Sequence, residues 1–436
     1  MKTPANKPND EARPRKPIGR RSFLRIGGPL LAGGVAAASL RSAAGEEQKP
    51  TSSSGPIALG TLKPDTQFDL YGNDTDTTAL WKQALDAIQK AGRGCIRVFG
   101  EHRLSAGLIL PDVTSLEIVG YDGCLKKQDP GTEFTLFAGP MGKTPNRILA
   151  IRNLHIIGDW DERPTMGQNS SRGIAVNGYH KTVFDHLRLE GIRQMGLTAG
   201  YCDEVYAHGC TIERNARDAI NFTGSRFVSV SSCTIRHCYD DAIAVHVVHK
   251  NTNPASKYGT LIIGNQIEDS FGIKALGGED IIIAHNNIMR PKLYGIYMGR
   301  DAHYQEGLVP HRNVIIQGNL ISDVVRREYL EVPHELNDGI IFVDTGREIH
   351  DTLIVDNVIT KSKPSGPDVH YSDWGYGKLF VHDGWRDPEL KDPHMGAGRG
   401  IRIMATNADD IADIAISGNR ISGLPPQSHL LRLKRS

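Results

Sequence analysis

The chain has 436 residues, with 51 Lys and Arg against 50 Asp and Glu, and hydrophobic residues make up 39% of it. This balance is typical of a globular protein, argues against long disorder and gives no reason to expect a nucleic-acid partner. Glycine is enriched at 47 residues while aromatic residues make up only 6%, which favours short strands joined by many tight turns.

The first 44 residues have the order of an export signal. Basic residues end in Arg20-Arg21-Ser22-Phe23-Leu24, and an apolar run from Ile26 to Leu40 leads to small residues. This order is typical of a twin-arginine signal, and the run is shorter than the roughly 20 apolar residues of a membrane span. We therefore expect residues 1–44 to be removed and residues 45–60 to be a flexible linker. The twin-arginine translocase would be a partner during export, the destination periplasmic or extracellular, and stable membrane insertion absent.

Removal of this segment changes the charge of the chain. Without residues 1–44, 42 basic residues stand against 48 acidic ones. The mature protein is therefore mildly acidic, and an acidic polymer would need local cations to bind it.

A repeat of 23 residues runs through the middle of the chain. It is marked by a small residue followed by an aliphatic one, at Gly173-Ile174, Gly196-Leu197, Ala219-Ile220 and Ala242-Ile243. The pair returns less regularly at Gly272-Ile273, Gly295-Ile296, Gly339-Ile340 and Gly400-Ile401. Short strands repeating at this period indicate a stacked array, and about 23 residues suit three short strands with turns. The pattern predicts an all-β domain over 61–436, a single right-handed parallel β-helix with loop insertions.

Asparagine and cysteine recur at the turns of this repeat. Asn recurs at turns in the pairs Gly264-Asn265, Asn286-Asn287, Gly318-Asn319, Asp356-Asn357 and Gly418-Asn419. Gly and Asn tolerate the left-handed backbone that such turns need. Cys210 and Cys233 are 23 residues apart, so we expect them to stack inside neighbouring coils. The six cysteines lack CxxC spacing, and disulfides and buried free thiols stay as alternatives.

The start of the domain carries a family resemblance. The segment Gly72-Asn73-Asp74-Thr75-Asp76 precedes an amphipathic helix with Leu80, Ala84, Leu85 and Ile88 on one face, and a strand follows at 95–99. This opening is similar to that of the pectate-lyase-like superfamily, in which such a helix caps a parallel β-helix. The resemblance covers about 68–421 and implies the fold, whereas the superfamily contains lyases, hydrolases, epimerases and phage spikes.

Alignment of the coils on the small–aliphatic pair gathers polar residues on one face. The residue before the pair forms one column, which includes Asp218, Asp241, Tyr294 and Asp338. A second column, two residues past the small residue of the pair, includes Asn221, Lys274 and Tyr297, and continuing outward adds His246 and Arg300. We expect these residues and Asp240 to share one groove.

Three carboxylates in two coils suggest acid–base chemistry. Like charges so close together raise the pKa of at least one carboxyl group, which lets one act as an acid and another as a base, as in an inverting glycosidase. Asp218 and the pair Asp240-Asp241 resemble the acidic pattern of polygalacturonase-type hydrolases. The family's Gly-His-Gly falls on Ser270-Phe271-Gly272 and its Arg-Ile-Lys on Tyr297-Met298-Gly299, which argues against a true polygalacturonase.

A lyase is the alternative enzyme. Lys274 and Arg300 resemble the Lys and Arg of β-helix lyases of the alginate lyase type, in which Lys274 would be the base. Such enzymes use calcium, and Asp240, Asp241, Glu268 and Asp269 are the candidate oxygen ligands. The hydrolase needs no cofactor.

Non-catalytic alternatives stay open at each position. Asp is common at turns because it caps backbone amides, and Lys274 and Arg300 are able to form ordinary surface ion pairs. His246 begins an insertion, where exposure is expected. The long insertion at 360–398 holds Trp374 and Trp385, which suit either sugar stacking or a hydrophobic plug.

The sequence therefore predicts an exported enzyme that cleaves glycosidic bonds of a polysaccharide or oligosaccharide. The acid–base residues are Asp218, Asp240 and Asp241, with Lys274 catalytic in the lyase alternative. The predicted substrate-binding residues are Asn221, His246, Tyr294, Tyr297, Arg300, Asp338, Trp374 and Trp385. A glycan-binding or structural β-helix without catalysis is the third hypothesis.

Overall fold

Parallel strands wind into coils, and each regular coil adds one strand to each of three faces. This is the right-handed parallel β-helix that the repeat predicts. No helix among the described residues has the length and apolar character needed to cross a bilayer. The computed structural model describes residues 66–129, 134–139, 146–160, 171–247, 258–291, 294–299, 311–323, 339–344, 349–360, 399–405, 414–422 and 433–435.

The helix α1 (Thr78–Ala91) belongs to the start of the domain, as the resemblance implies. Its buried side chains join the same hydrophobic core as the first strands. Trp81 is the largest of them, is fully buried, and packs edge-on against Phe137 at 5.6 Å between ring centroids. Leu80, which belongs to the predicted face, is only partly buried. Before the helix, Asp76 accepts hydrogen bonds from the Thr78 backbone N–H at 2.9 Å and the Ser105 hydroxyl at 2.6 Å.

The first face, called the front sheet, contains eleven described strands. All neighbouring strands in it are parallel. Its strands are β3 (Leu108–Ile109), β5 (Phe137–Ala138), β8 (Ile174–Asn177), β11 (Leu197–Gly200), β14 (Ile220–Thr223), β17 (Asp241–His246), β20 (Phe271–Leu276), β23 (Ile296–Met298), β26 (Gly339–Asp344), β29 (Arg399–Ala405) and β32 (Leu433–Arg435).

The other two faces form one bent sheet of 21 described strands. Two long strands, β2 (Arg93–Leu104) and β4 (Ser115–Lys127), run through both faces and join them. The back face contains β1 (Gln67–Tyr71), β6 (Ile148–Arg152), β9 (Lys181–Asp185), β12 (Glu204–His208), β15 (Phe227–Ser231), β18 (Gly259–Ile263), β21 (Glu279–Ala284), β24 (His311–Gln317), β27 (Ile349–Val355) and β30 (Ile414–Ser417). The lateral face contains β7 (His155–Ile157), β10 (Arg188–Glu190), β13 (Thr211–Glu213), β16 (Thr234–Arg236), β19 (Gln266–Glu268), β22 (Asn287–Met289), β25 (Leu320–Ser322), β28 (Val358–Thr360) and β31 (Arg420–Ser422).

Aliphatic side chains of equal register fill the interior. In the front sheet the aliphatic residue of each small–aliphatic pair lies beside the next, as in Ile220, Ile243 and Ile273, and all three are fully buried. Burial of one such side chain stabilises the fold by about 1.5–3 kcal/mol relative to exposure. The repeat therefore marks the core, and its period fixes which residues become neighbours.

A ladder of asparagines lines the turn between the back and lateral faces. Asn286 illustrates the pattern, because its side-chain Nδ2 donates to Asn319 Oδ1 at 3.0 Å and to the Ile262 carbonyl at 3.0 Å. The predicted role of these asparagines in left-handed turns is wrong, since the preceding residue takes that conformation, as Gly264 does with φ 66°. The asparagine ladder consists of Asn265, Asn286, Asn319, Asn357 and Asn419.

Two cysteines occupy the same turn position in earlier coils. Cys210 and Cys233 precede Thr211 and Thr234, which pair in register, and both thiols are buried. The expected stacking inside neighbouring coils is confirmed. All six cysteines, which lie among the described residues, are free thiols. The buried-thiol alternative describes four of them, whereas Cys95 and Cys124 are only partly buried.

Candidate functional site

Three carboxylates meet where the chain enters two neighbouring strands of the front sheet. Asp218 lies just before β14, Asp240 just before β17, and Asp241 is the first residue of β17. One carboxylate oxygen from each residue lies within 4.8 Å of the others. We call this group the acid cluster. The structure thus brings together the three acids that the coil alignment places in neighbouring coils.

The position of Asp240 depends on the length of one turn. Asp241 pairs in register with Phe271, and the Cys238 backbone N–H donates to the Ser270 hydroxyl at 2.9 Å, which aligns those two residues as well. Two residues separate Cys238 from Asp241, whereas none separates Ser270 from Phe271. The longer turn therefore carries Asp240 outward at the coil that also holds Asp241.

Asp218 is the buried acid of the cluster, with 4% of its surface exposed. Burial and the adjacent charges of Asp240 and Asp241 raise the pKa of the Asp218 carboxyl well above its usual range, against the opposing effects of Arg217 and Asn221. The Asn221 amide donates to Oδ2 of Asp218 at 2.6 Å. This bond leaves the other oxygen, Oδ1, as the place for a proton.

Asp241 is also buried, but its partners differ. The Tyr294 hydroxyl donates a short hydrogen bond to its Oδ1, and the Lys274 ammonium lies 3.6 Å from its Oδ2. Burial and the charge of Asp241 raise the pKa of Tyr294, so the phenol keeps its proton and acts as the donor. Both partners stabilise a negative charge on Asp241.

Asp240 is the most open of the three acids, with 19% of its side chain exposed. Its Oδ2 lies 3.7 Å from the Nε of Arg217, a residue that the sequence pattern did not indicate. Arg217 stands next to Asp218 in the chain and was overlooked because only one residue of each turn was aligned. An Arg directly before an aligned Asp is the signal that was available.

Some of the other predicted substrate-binding residues lie at the front sheet, and the rest lie outside the described residues. Asn221 and Lys274 take the register expected of them in the front sheet, with Tyr297 beside Lys274. Tyr294 and Tyr297 have only 3% and 1% of their surface exposed, so in this structure they support the site from within. Arg300, Asp338, Trp374 and Trp385 lie outside the described residues.

His246 differs from its expectation. It pairs in register with Thr223 and Leu276 on the front sheet and has 5% of its surface exposed. The expected exposure is wrong, because β17 runs on to His246 before the chain leaves the sheet.

The four acids expected to bind calcium in the lyase alternative do not come together. Glu268 and Asp269 lie at the end of β19, where both carboxylates pair with Arg290, in the case of Asp269 at 2.8 Å. Among the described residues, the acidic group with cation-binding geometry is instead the acid cluster, which includes Asp218. A divalent cation there would have three carboxylate oxygens as ligands.

The fold and the stacked front sheet define the class of protein. The chain has a right-handed parallel β-helix fold, and the model of a right handed beta helix region matches residues 161–256.

Similar proteins agree with this class. The chain is similar to the catalytic domain of a GH87 α-1,3-glucanase in complex with nigerose, with 15% identity, a TM-score of 0.50, and 84% of this chain and 60% of that chain covered. A variant of that domain in complex with tetrasaccharides gives 15% identity and a TM-score of 0.53, with 83% and 60% covered. The uncharacterized protein YclG of Bacillus subtilis (strain 168) is 22% identical over 281 residues, 59% of this chain and 45% of that protein. The chain thus spans less than half of this relative and about three fifths of the solved domains.

Proposed function

We propose that this protein hydrolyses glycosidic bonds of a polysaccharide or oligosaccharide by carboxylate acid–base catalysis. The observation that carries the proposal is the contrast within the acid cluster. Asp218 is buried and has a raised pKa, while Asp240 is more open to solvent. Environments that separate two carboxyl groups in this way assign one as acid and the other as base.

The structure supports a role for each acid. Asp218, protonated on Oδ1, would donate its proton to the glycosidic oxygen of the leaving group. Asp240 would accept a proton from the attacking water. Asp241 would keep its negative charge through Tyr294 and Lys274, which favours the proton on Asp218 and stabilises positive charge that develops on the sugar ring.

The lyase alternative has less support at Lys274. A lyase base must be neutral before it takes a proton from the substrate, whereas an opposite charge nearby favours the ammonium form. Lys274 lies 3.6 Å from Asp241 and has 16% of its side chain exposed. We therefore assign Lys274 to charge balance and sugar positioning, together with Asn221.

A panel of polysaccharides with an α-1,3-glucan as its first member tests the proposal, because the similar solved domains are α-1,3-glucanases. New reducing ends without the ultraviolet absorbance of a conjugated double bond are expected from hydrolysis. The absorbance would establish the lyase instead, and glycan binding without any product would establish a binding module.

The variants Asp240→Asn and Asp241→Asn complete this test. Asp240→Asn is expected to lower kcat by about 100-fold or more, the usual contribution of an acid–base group. Asp241→Asn is expected to lower kcat by about 100-fold through loss of its stabilising charge. Retention of full activity by both variants would overturn the assignment. Asp203→Asn is the matched control, since Asp203 is an exposed acid paired with His180 and Arg226 away from the cluster.

We also propose export through the twin-arginine pathway. The support is the Arg20-Arg21 motif ahead of the apolar run. Expression in a bacterium with and without a working twin-arginine translocase tests it. We expect a shortened chain outside the cytoplasm only in the first strain, and an Arg20→Lys, Arg21→Lys double variant should stay inside; export of that variant would contradict the proposal.

A further inference from the structure

A second cluster of chemically active side chains lies on the corner between the back and lateral faces. Asp185 ends β9, His186 follows it in the turn, and His208 ends β12 on the next coil. One ligand atom from each of these three residues lies within 4.8 Å of the others. The cluster is made of two imidazoles and one carboxylate, which differs in chemistry from the all-oxygen acid cluster.

The stacking of the coils creates this arrangement. Arg152, Asp185, His208 and Ser231 occupy one register position on four consecutive strands of the back face. Arg152 donates to Oδ2 of Asp185 at 3.0 Å, which orients the carboxylate. Because adjacent parallel strands are about 4.8 Å apart, Asp185 and His208 are held next to each other by the backbone.

One ring nitrogen of His208 already has a hydrogen-bond partner. Nδ1 of His208 lies 3.0 Å from the Ser231 hydroxyl, and in the tautomer in which Nδ1 donates to that oxygen, Nε2 is the nitrogen that binds a metal ion. Outer partners of this kind fix the tautomer and orientation of a ligating imidazole. Nδ1 of His186 lies 2.8 Å from Oδ1 of Asp185, and the two histidine rings meet edge to face with centroids 5.4 Å apart.

A glycine gives the His186 ring its place. Gly209 has φ 61°, and a Cβ atom there would lie 2.9 Å from Nε2 of His186. Any larger residue would therefore push the ring away and strain the backbone. The absence of a side chain at Gly209 therefore provides the space that the His186 ring occupies.

An open cleft of about 570 Å³ lies beside the cluster, and His186 is part of its wall. The cleft is lined by polar groups as well, among them Tyr121, Asn153, His155 and Arg188. His186 is the one residue of the cluster in this wall, so a small anionic or hydroxyl-bearing ligand in the cleft would approach the cluster beside the His186 ring.

We propose that Asp185, His186 and His208 bind a divalent transition-metal ion of the Zn²⁺ class. Two imidazole nitrogens and one carboxylate oxygen are the ligand set that this class prefers, and three protein ligands leave a fourth position for water or an external ligand. The site is separate from the acid cluster in ligand chemistry and lies on a different part of the coil, so it does not depend on the proposed hydrolase activity.

Isothermal titration of the chelator-treated full chain with Zn²⁺ tests the proposal. We expect one Zn²⁺ to bind per chain. His186→Gln and His208→Gln should each weaken its affinity by at least about 10-fold, because loss of a residue that only hydrogen-bonds to a metal ligand already has an effect of that order. His180→Gln is the matched control, because His180 also lies beside a carboxylate, 2.9 Å from Asp203, but outside the cluster. Asp240→Asn controls for binding at the acid cluster.

The outcomes are distinct. Wild-type affinity in the His180 and Asp240 variants, with loss in the other two, supports the site. Equal binding by wild type and a His186→Gln, His208→Gln double variant would overturn it, as would no binding by the wild type. Gly209→Ala gives an independent variant that keeps every ligand, and unchanged Zn²⁺ affinity in a folded Gly209→Ala protein would contradict the proposed placement of His186.

Discussion

Two columns of stacked side chains run along successive coils of the same β-helix and differ in what they repeat. The asparagine ladder repeats one residue type, and each interior amide is satisfied by its neighbours. The column through the acid cluster changes at almost every coil, from Met195 to Asp218, Asp241, Phe271 and Tyr294. Repetition of one residue at one register position stabilises the coil, whereas variation there produces a local chemical environment.

The energetic demands of the two columns are opposite. Identical amides donate and accept in a chain without adding charge, which suits a buried position. Three carboxylates so close together repel one another, which raises the pKa of the buried Asp218, and the cations and hydrogen-bond donors around them offset part of this repulsion. Four predictions separate these two situations, from the largest expected effect to the smallest.

Replacement of the proposed acid has the largest effect on activity. Asp218→Asn removes the proton donor and is expected to reduce kcat by about 10²–10⁴-fold, measured as reducing ends released from an accepted polysaccharide. Glu213→Gln is the control, since Glu213 lies on the same coil but on the lateral face, 3.4 Å from Arg236. Near-normal turnover in the Asp218 variant would remove Asp218 from the mechanism.

Interruption of the asparagine ladder has the largest effect on stability. In Asn319→Ala, the Oδ1 that accepts from Asn286 and the Nδ2 that donates to the Ile283 carbonyl at 2.9 Å are lost. Buried groups left without partners cost about 1–3 kcal/mol each, so we expect a loss of about 3 kcal/mol in the free energy of unfolding by denaturant titration. Asn419→Ala, at a less buried position, should cost less; equal losses would contradict the ladder interpretation.

Removal of the Tyr294 hydroxyl tests the support of Asp241. Tyr294→Phe leaves one buried carboxylate oxygen without its donor, and we expect a loss of about 1–3 kcal/mol in unfolding free energy. Tyr206→Phe serves for comparison, because its hydroxyl donates to Glu204 at 3.1 Å in a partly buried place. A cost no larger at Tyr294 than at Tyr206 would show that Asp241 does not rely on this bond.

The pH dependence of stability gives the most gradual effect. The pKa of Asp218 is raised in the native state above its ordinary value near 3.8, so the native protein binds this proton more tightly than the unfolded chain. The resulting stability is complete below the unfolded pKa and is lost as the pH rises through the native pKa, with a slope of at most about 1.4 kcal/mol per pH unit. The Asp218→Asn variant has no carboxyl group at this position. Its free energy of unfolding should therefore lack the decline that wild type shows between about pH 4 and the native pKa of Asp218. Parallel stability curves for the two proteins would contradict the raised pKa.

The sequence was sufficient for the fold and for the register of its central coils. A constant step of 23 residues made Thr198, Asn221 and Ala244 neighbours, as the structure shows. It was not sufficient for Arg217, because only one residue of each turn was aligned, although Arg217 and Asp240 are themselves 23 residues apart. The sequence also misassigned the asparagines. A Gly-Asn pair fits a turn in which the Asn backbone is left-handed, and it fits equally well a turn in which the Gly backbone is left-handed and the Asn side chain points inward.

The position of Asp185 and His208 was missed for another reason. Their 23-residue separation was present in the sequence, but the alignment followed only the column of the small–aliphatic pair. A search of every column for metal-binding residue types would have found the pair, though not His186, which reaches the cluster from a turn.

The parallel pairing of the coils has a consequence for how such a protein is able to change in length. Each coil contacts mainly the coils before and after it, so stability is close to a sum of local terms. Insertion or loss of a whole coil distant from the acid cluster would lengthen or shorten the front sheet by about 4.8 Å without altering the local geometry of Asp218, Asp240 and Asp241. The length of the front sheet and the local geometry of the acid cluster are thus independently variable in evolution and in engineering.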